Sequence, residues 1–473
     1  MDLFRVKPID EKLTDNPLRP ELGGLQLILL GIGAIVGTGI FVITGTAAAE
    51  HAGPAIVLSF ILSAVGCLCA GLSYAELASM IPLSGSAYTY AYSTIGELMA
   101  WIIGWDLILE YLVGSATVAV GWSGYVVSFL SGIGIHFPSA LCNSPFGYKD
   151  GAWLATGAIL NVPAVFIVLA VTVILVLGIR ESSGVNAIIV VIKLAVIVLF
   201  IVFCFPHVNP ANWIPFIPPS TGVGHFGWTG IMAGAGVIFY AYIGFDAVTT
   251  AAQETKRPER DLPVGILGSL TICTVLYVLV SLVLTGVVNY KQLDVPAPVA
   301  FAIEQVGPAV AWLRPLIELG AIAGITSVIL VLLLGQPRIF YRMAADGLLP
   351  EVFSKVHPRF RTPHVTTGLT GIVSATLAGL FPIGVLSELV SIGTLLAFVI
   401  VCIGVVVLRK TRPDLPRLFR APFVPLLPIL GAIICLAQMI FLPVGTWIRL
   451  VIWLIIGLVI YFGYGHRKSR LNV

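Results

Sequence analysis

Residues 23–49 carry no charged side chain and form an apolar run interrupted in its middle by glycine. A bilayer core about 30 Å thick is crossed by about 20 apolar residues in helical form. With no water there to satisfy the backbone, such a run is confined to helix. Yet the stretch Gly31-Ile32-Gly33-Ala34-Ile35-Val36-Gly37-Thr38-Gly39-Ile40-Phe41 carries four glycines, and each costs a helix interior about 1 kcal/mol relative to alanine. The span is expected to unwind here, which membranes tolerate only under protein cover or beside a polar cavity. The N–H groups of Gly37, Thr38 and Gly39 would then open a second half-helix, where the dipole favours an anion. Close helix packing is the competing explanation, but it asks for small-xxx-small spacing and not a Gly-Thr-Gly triplet.

Comparable runs recur along the chain. Twelve spans are expected, at about 23–49, 54–80, 97–130, 161–178, 184–205, 228–252, 263–287, 312–342, 366–381, 384–408, 422–441 and 446–464. Charged residues make up 10% of the 473, against about 25% in soluble domains. The fold class read from this is all-α integral membrane. With the N-terminus placed inside, all but five of the 26 Lys and Arg fall in inner segments, as the positive-inside bias requires. Lys149, Lys291, Arg314 and Arg449 lie outside, and Lys193 lies within a span. Both termini are then cytoplasmic, in a multi-pass protein of the cell membrane. The polar stretch 1–21, with Arg5, Lys7, Lys12 and Arg19, lacks the pattern of a cleaved signal. A net charge of +3 does not suggest nucleic acid. The seven cysteines, mostly inside apolar runs, read as small hydrophobes rather than a disulfide framework or a zinc site.

The chain divides into an inner N-terminal segment (1–22), five spans (23–205), five more (206–410), two last spans (411–465) and an inner tail (466–473). The outer segments 131–160, 206–227 and 288–311 are rich in Gly, Pro and Asn and are expected to be short-helix or irregular caps. The inner clusters Lys256–Asp261 and Lys355–Arg361 read as solvated faces. An odd number of spans per set makes the second set enter from the opposite side, so the two sets form a five-plus-five inverted repeat. Span 6 then matches span 1. It reads Gly234-Ala235-Gly236-Val237-Ile238-Phe239-Tyr240-Ala241-Tyr242-Ile243-Gly244-Phe245-Asp246, again glycine-bearing with polar groups at mid-membrane. Interrupted segments at corresponding positions of two halves point to a transporter's binding site.

Gly31–Phe41, the span-6 run Phe239–Asp246 and the inner Asp346-Gly347-Leu348-Leu349-Pro350 resemble the amino acid–polyamine–organocation superfamily, within it the cationic amino acid transporter branch. The resemblance covers about residues 20–465. It implies broken helices 1 and 6, a five-plus-five repeat and two peripheral helices. It also implies that a substrate carboxylate meets the backbone N–H groups of Thr38 and Gly39, beside Gly37. The substrate's amino group would meet the carbonyls of Ile35, Ala241 and Ile243, and Tyr240 would stand at the family's aromatic gate, where many members have Phe or Trp.

Ionisable groups inside spans are functional candidates because they are expensive there. Lys193 lies ten residues into its expected span, about 15 Å from either end, and a stem of about 6 Å cannot snorkel that far. It is expected to face a polar interior and to exchange protons. The resemblance agrees, since sodium-independent members place a lysine on span 5 where sodium binds in others. Asp106 and Glu110 are four apart, on one helical face, and like charges so spaced want a cation between them or a shared proton. Glu110 pairs with Lys193, faces a cationic substrate side chain, or is protonated; all three stand open. Asp246 follows the span-6 break and is expected to hold that half-helix or an inner gate. Thr326 and Ser327 put hydroxyls where sodium-coupled relatives of the fold bind sodium, and Ile325 beside them is expected to floor a side-chain pocket.

Together these readings give a secondary amino-acid transporter working by alternating access, with protons as coupling ion. Exchange ranks second, sodium symport third, and polyamine transport lower. An enzyme is disfavoured, since no His-Glu-x-x-His or Gly-x-Ser-x-Gly occurs and the seven histidines are scattered. No Walker A stretch supplies nucleotide energy, no cofactor is implied, and a channel would not need two broken helices with aromatic gates. The expected partners are an amino acid, protons and the lipid bilayer.

Overall fold

The computed structural model describes residues 5–7, 22–80, 86–149, 151–178, 183–250 and 255–472. Lys12, Arg19 and Arg180, three of the inner charges, lie outside the described residues. The first apolar run folds as helix α1 (Gly24–Ile35), which stops where Val36 turns extended (φ −76°, ψ 101°). Thr38 returns to helical angles and α2 follows (39–52). Then come α3 (Ile56–Met80), α4 (Ser86–Thr94) and α5 (Glu97–Gly132). The widened turn Leu109–Val113 lies within α5.

The outer segment 131–160 departs from expectation. Instead of only short helix or irregular chain it holds an antiparallel hairpin, β1 (Phe146–Lys149) on β2 (Ala152–Ala155), with Phe146 opposite Ala155. Aromatic contacts hold it, since Phe146 and Trp153 meet Phe381 and Tyr148 meets Trp153 across the strands.

Helices α6 (Val162–Val176), α7 (Ser183–Cys204) and α8 (Gly227–Ile238) follow. After α8 the chain makes the tight turn Phe239–Tyr242, becomes extended at Ile243 and passes Gly244 at φ +111°. That angle favours glycine. The short α9 (Ala247–Thr250) continues the line, then α10 (Pro258–Val287), α11 (Pro298–Val306) and α12 (Leu313–Ala345). The last helices are α13 (His364–Leu380), α14 (Ile383–Thr411), α15 (Leu426–Ile440) and α16 (Val444–Lys468).

Among the described residues eight helical stretches are long and apolar enough to cross a membrane, so this is a multi-pass membrane protein. Of the other expected spans, the first is divided between α1, of 12 residues, and the start of the stretch Gly39–Met80, and three fall on shorter helices: α6 and α15 have 15 residues each and α13 has 17. Burial sorts the helices. The stretches Glu97–Gly132 and Gly227–Thr249 are 89% and 94% buried over their most apolar windows, against 22% for Val444–Lys468. The first two form the centre, and α16 lies at the periphery with Ile452, Ile455 and Val459 turned outward.

One end of the bundle gathers both described ends of the chain. Arg5 donates to the buried Glu97 at the start of α5 and to the carbonyl of Leu471, while Tyr461 and Ser469 donate to the same carboxylate. Lys7 pairs with Asp346 after α12, which also accepts from Tyr88 at 2.8 Å. We call this the terminal end.

Candidate functional site

The two broken helices meet at their breaks, and each offers a glycine to the other. A Cβ on Gly39 would strike Cα and Cβ of Ala241, and a Cβ on Gly244 would strike the backbone of Ala34. The backbones thus approach more closely than any side chain would allow. Thr38 is buried and donates to the carbonyl of Val118 at 3.4 Å, its methyl filling the space left by Gly121 on α5. Tyr125 donates to the carbonyl of Phe41 at 2.8 Å. Helix α5 therefore fixes the start of α2, where the leading N–H groups lack partners within the helix.

Two side chains serve the carbonyls freed by the breaks. Lys193 on α7 is fully buried, and its ammonium donates to the carbonyls of Gly33 (2.7 Å) and Val36 (3.0 Å). Gly324 on α12 makes room for its stem. The second was not singled out in the sequence. Tyr277 on α10 donates from its hydroxyl toward the carbonyls of Ile35 (3.1 Å) and Ala241 (3.0 Å). Those two carbonyls, expected to receive an amino group, thus already share one O–H that bridges the breaks. The signal was thin, a lone tyrosine in an apolar helix.

A small cavity of about 330 Å³, including space that opens to solvent, lies between the breaks and α5 and α12. Of the expected residues Ile35, Gly37, Thr38, Gly39, Tyr240 and Ile243 line it; so do Gly114, Val118, Val328 and Leu332, which the sequence reading did not single out. Ile325 is buried but absent from the wall, because Val328 and Leu332, one and two turns on, face the cavity instead. Ala241 stands behind it against Gly39. The Tyr240 hydroxyl is buried beside Thr117.

Glu110 lines this cavity and a second one of about 240 Å³, which reaches Tyr111, Gly244, Asp246 and Ala247. Three readings stood open for Glu110, and its contacts are with none of the expected partners. Its carboxyl meets that of Asp246, and Thr394 donates to it at 3.4 Å. Tyr111 donates to Asp246 at 3.1 Å. The two carboxyls thus lie side by side in a buried site. Asp106, expected to share a proton or cation with Glu110, is buried with no hydrogen-bond partner among the described residues. Thr326 donates to the carbonyl of Ile322 and accepts from the Trp122 indole at 2.9 Å, and Ser327 donates to the carbonyl of Gly324. Both hydroxyls are therefore engaged. Among the described residues no three His, Cys, Asp or Glu side chains are placed to hold a metal ion.

The model of a family described as amino acid permease matches residues 22–462. The chain belongs to this family. The resemblance to the amino acid–polyamine–organocation superfamily is thereby borne out. The chain is 49% identical to the branched-chain amino acid permease BcaP of Bacillus subtilis (strain 168), over 99% of each. It is 48% identical to the methylthioribose transporter of the same organism, again over 99% of each. Cationic amino acid transporter 4, vacuolar, of Arabidopsis thaliana is 39% identical over 87% of this chain and 68% of its own length. Among solved structures, that of MhsT in complex with L-phenylalanine shares the fold with a TM-score of 0.63 at 13% identity, covering 89% of this chain and 98% of that one.

Proposed function

We propose that this permease carries apolar aliphatic amino acids into the cell by alternating access, driven by protons. Twelve crossings, the inverted five-plus-five repeat and cytoplasmic termini belong to the same proposal. The observation that carries it is the meeting of two unwound helices around one cavity. There the start of α2 offers N–H donors to a carboxylate while Val118, Ile243, Val328 and Leu332 offer apolar walls. The names of the first two relatives frame the substrate choice, since both BcaP and the methylthioribose transporter match end to end. A branched aliphatic side chain suits the walls, and Glu110 is engaged by Asp246 and Thr394 rather than offered to a cation. Methylthioribose is the second reading, favoured by the 48% identity; it has no carboxylate for the α2 N–H groups to hold.

Lys193 is the coupling group in this reading. Charged, its ammonium holds the two carbonyls of the α1 break; neutral, it releases one or both. Loading and unloading a proton would bias the two faces of the cycle. The Lys193 ammonium at the first break favours protons over sodium, since it would repel a second cation there. The test is uptake by purified protein in liposomes, with leucine, lysine, putrescine and methylthioribose supplied separately under imposed proton or sodium gradients. Leucine uptake that follows the proton gradient alone is expected; sodium-driven uptake, or uptake of methylthioribose alone, would overturn it. Topology is checked in right-side-out vesicles, where Cys142 should react with an impermeant thiol reagent and a cysteine replacing Ser354 should not.

A further inference from the structure

Helices α5 and α12 lie antiparallel, and three contacts give their register: Gly114 faces Leu332, Gly335 faces Tyr111, and Gly104 faces Met343. Along this seam Val118, Gly114 and Glu110 line the first cavity opposite Val328 and Leu332. On α5 the second cavity is lined by Glu110 and Tyr111 alone, the part of the seam nearer the terminal end. The next step holds two unusual residues. Gln336, one turn beyond Leu332, is 0% exposed, and neither its amide nitrogen nor its oxygen has a partner among the described residues. Asp106, one turn beyond Glu110, is 1% exposed, and neither carboxyl oxygen has one. The register places them about one helical turn apart, roughly 6 Å along the axis. Beyond them Met343 and Tyr88 close the seam at Gly104, and Tyr88 is tied to Asp346 and through it to Lys7.

A buried carboxyl and a buried carboxamide without partners are both costly. Two of them on facing helices, in line with a cavity and short of a plug, are explained if another state supplies the partner. We propose that Asp106 and Gln336 form a release site, occupied once α1, which packs on α12, moves off the seam. A zwitterionic amino acid leaving the first cavity toward the terminal end meets acceptor and donor in the right pair. Asp106 takes its ammonium, and the Gln336 amide donates to its carboxylate. The site extends the transport reading proposed above and rests on it.

The experiment uses the full chain in liposomes, with orientation set by the thiol labelling of Cys142. Exchange of labelled L-leucine is measured with the concentration varied first on the outer and then on the inner side. Asp106→Asn and Gln336→Leu should each raise the inner-side KM about tenfold or more, the loss of one charge-assisted hydrogen bond, and leave the outer-side KM unchanged. Equilibrium binding of L-leucine from the outer side tells a folded variant from a misfolded one, and the two variants back each other up. An inner KM equal to wild type in a folded variant overturns the release site and leaves the transport reading intact. So does an equal rise on both sides, which marks a structural role, or a changed dependence on outer pH alone, which marks a proton path. If the wild-type protein neither binds nor moves L-leucine, the transport reading falls and the release site with it.

Discussion

The two breaks carry different side chains, a basic one at the first and an acidic one at the second. In the first, α1 ends in free carbonyls, and the cation of Lys193 sits on them at 2.7 and 3.0 Å. In the second, the first N–H groups of α9 are already bonded within the turn, Ala247 to the carbonyl of Gly244 and Val248 to that of Phe245, and the carboxyl of Asp246 lies beside them. The ammonium stands where the helix dipole favours a cation, at a C-terminus. The two side chains differ in what lies beside them. Lys193 is walled in by Gly324 and the break itself, while Asp246 lines the second cavity and touches Glu110 and Tyr111. Both breaks line the first cavity, but the ammonium of the first is closed off as an ionic clasp, while the carboxyl of the second lies open to the second cavity. Under the proton-driven reading proposed above, a proton gained or lost at Lys193 would act on backbone geometry, whereas one at the Glu110–Asp246 pair would act on the lining of the path.

The largest expected effect breaks the clasp. Lys193→Ala should abolish accumulation driven by a gradient, and Lys193→Arg should fail as well, since guanidinium keeps its proton at any physiological pH. Wild-type uptake should accelerate as outer pH falls and ignore imposed sodium gradients. Sodium-dependent binding that survives in Lys193→Ala would show that the two breaks are not organised by a proton at the first.

Next comes the close approach of the breaks. Gly39→Val should abolish leucine binding, because even a Cβ there meets Cα and Cβ of Ala241. Thr38→Ser should be mild, as the backbone donors and the hydroxyl remain. In wild type, leucinamide and isopentylamine should compete at least about tenfold less well than leucine, the value of one charge-assisted hydrogen bond. Equal competition by the amine would move recognition from the start of α2 to the carbonyls.

A smaller effect is expected at the bridge. Tyr277→Phe removes the O–H that ties Ile35 to Ala241, a neutral hydrogen bond of about 1 kcal/mol, so leucine affinity should shift about fivefold. Binding measured by calorimetry checks it. A shift of a hundredfold would mean that the bridge, and not the glycine contacts, sets the distance between the breaks.

How much of this was legible follows the same contrast. The first break announces itself, because Gly37-Thr38-Gly39 concentrates helix-breaking residues where nothing else in an apolar run explains them. The depth of Lys193 was equally plain, since a lysine ten residues into a span has no interface to reach. The second break was visible only as a region. Its turning point is Ile243–Gly244, and a single glycine among aromatics gives no sign of φ +111°. Partners across the bundle were hidden altogether. The touching carboxyls of Glu110 and Asp246 and the Tyr277 bridge join residues far apart in the chain, through helix packing that no local pattern encodes. The partner of Thr326 was hidden for a like reason, since the Trp122 indole that donates to its hydroxyl lies on α5.

The smallest effect is expected at Thr326, and its smallness is informative. Its hydroxyl sits on α12 beside the Gly324 that accommodates Lys193, yet it bonds Ile322 and Trp122 rather than either break. If the first break is closed by an ammonium alone, Thr326→Val removes two neutral hydrogen bonds of about 1 kcal/mol each, one to the Ile322 carbonyl and one from the Trp122 indole, and nothing from the clasp. Leucine KM should then stay within about twofold of wild type, and uptake should keep its response to outer pH and its indifference to sodium. The paired variant Thr326→Val, Lys193→Ala should be no worse than Lys193→Ala, since the two side chains serve different bonds. A large loss in Thr326→Val alone, or a sodium response present in Lys193→Ala and gone in the pair, would place a cation site at the first break and end the contrast of a closed clasp with an open acid pair.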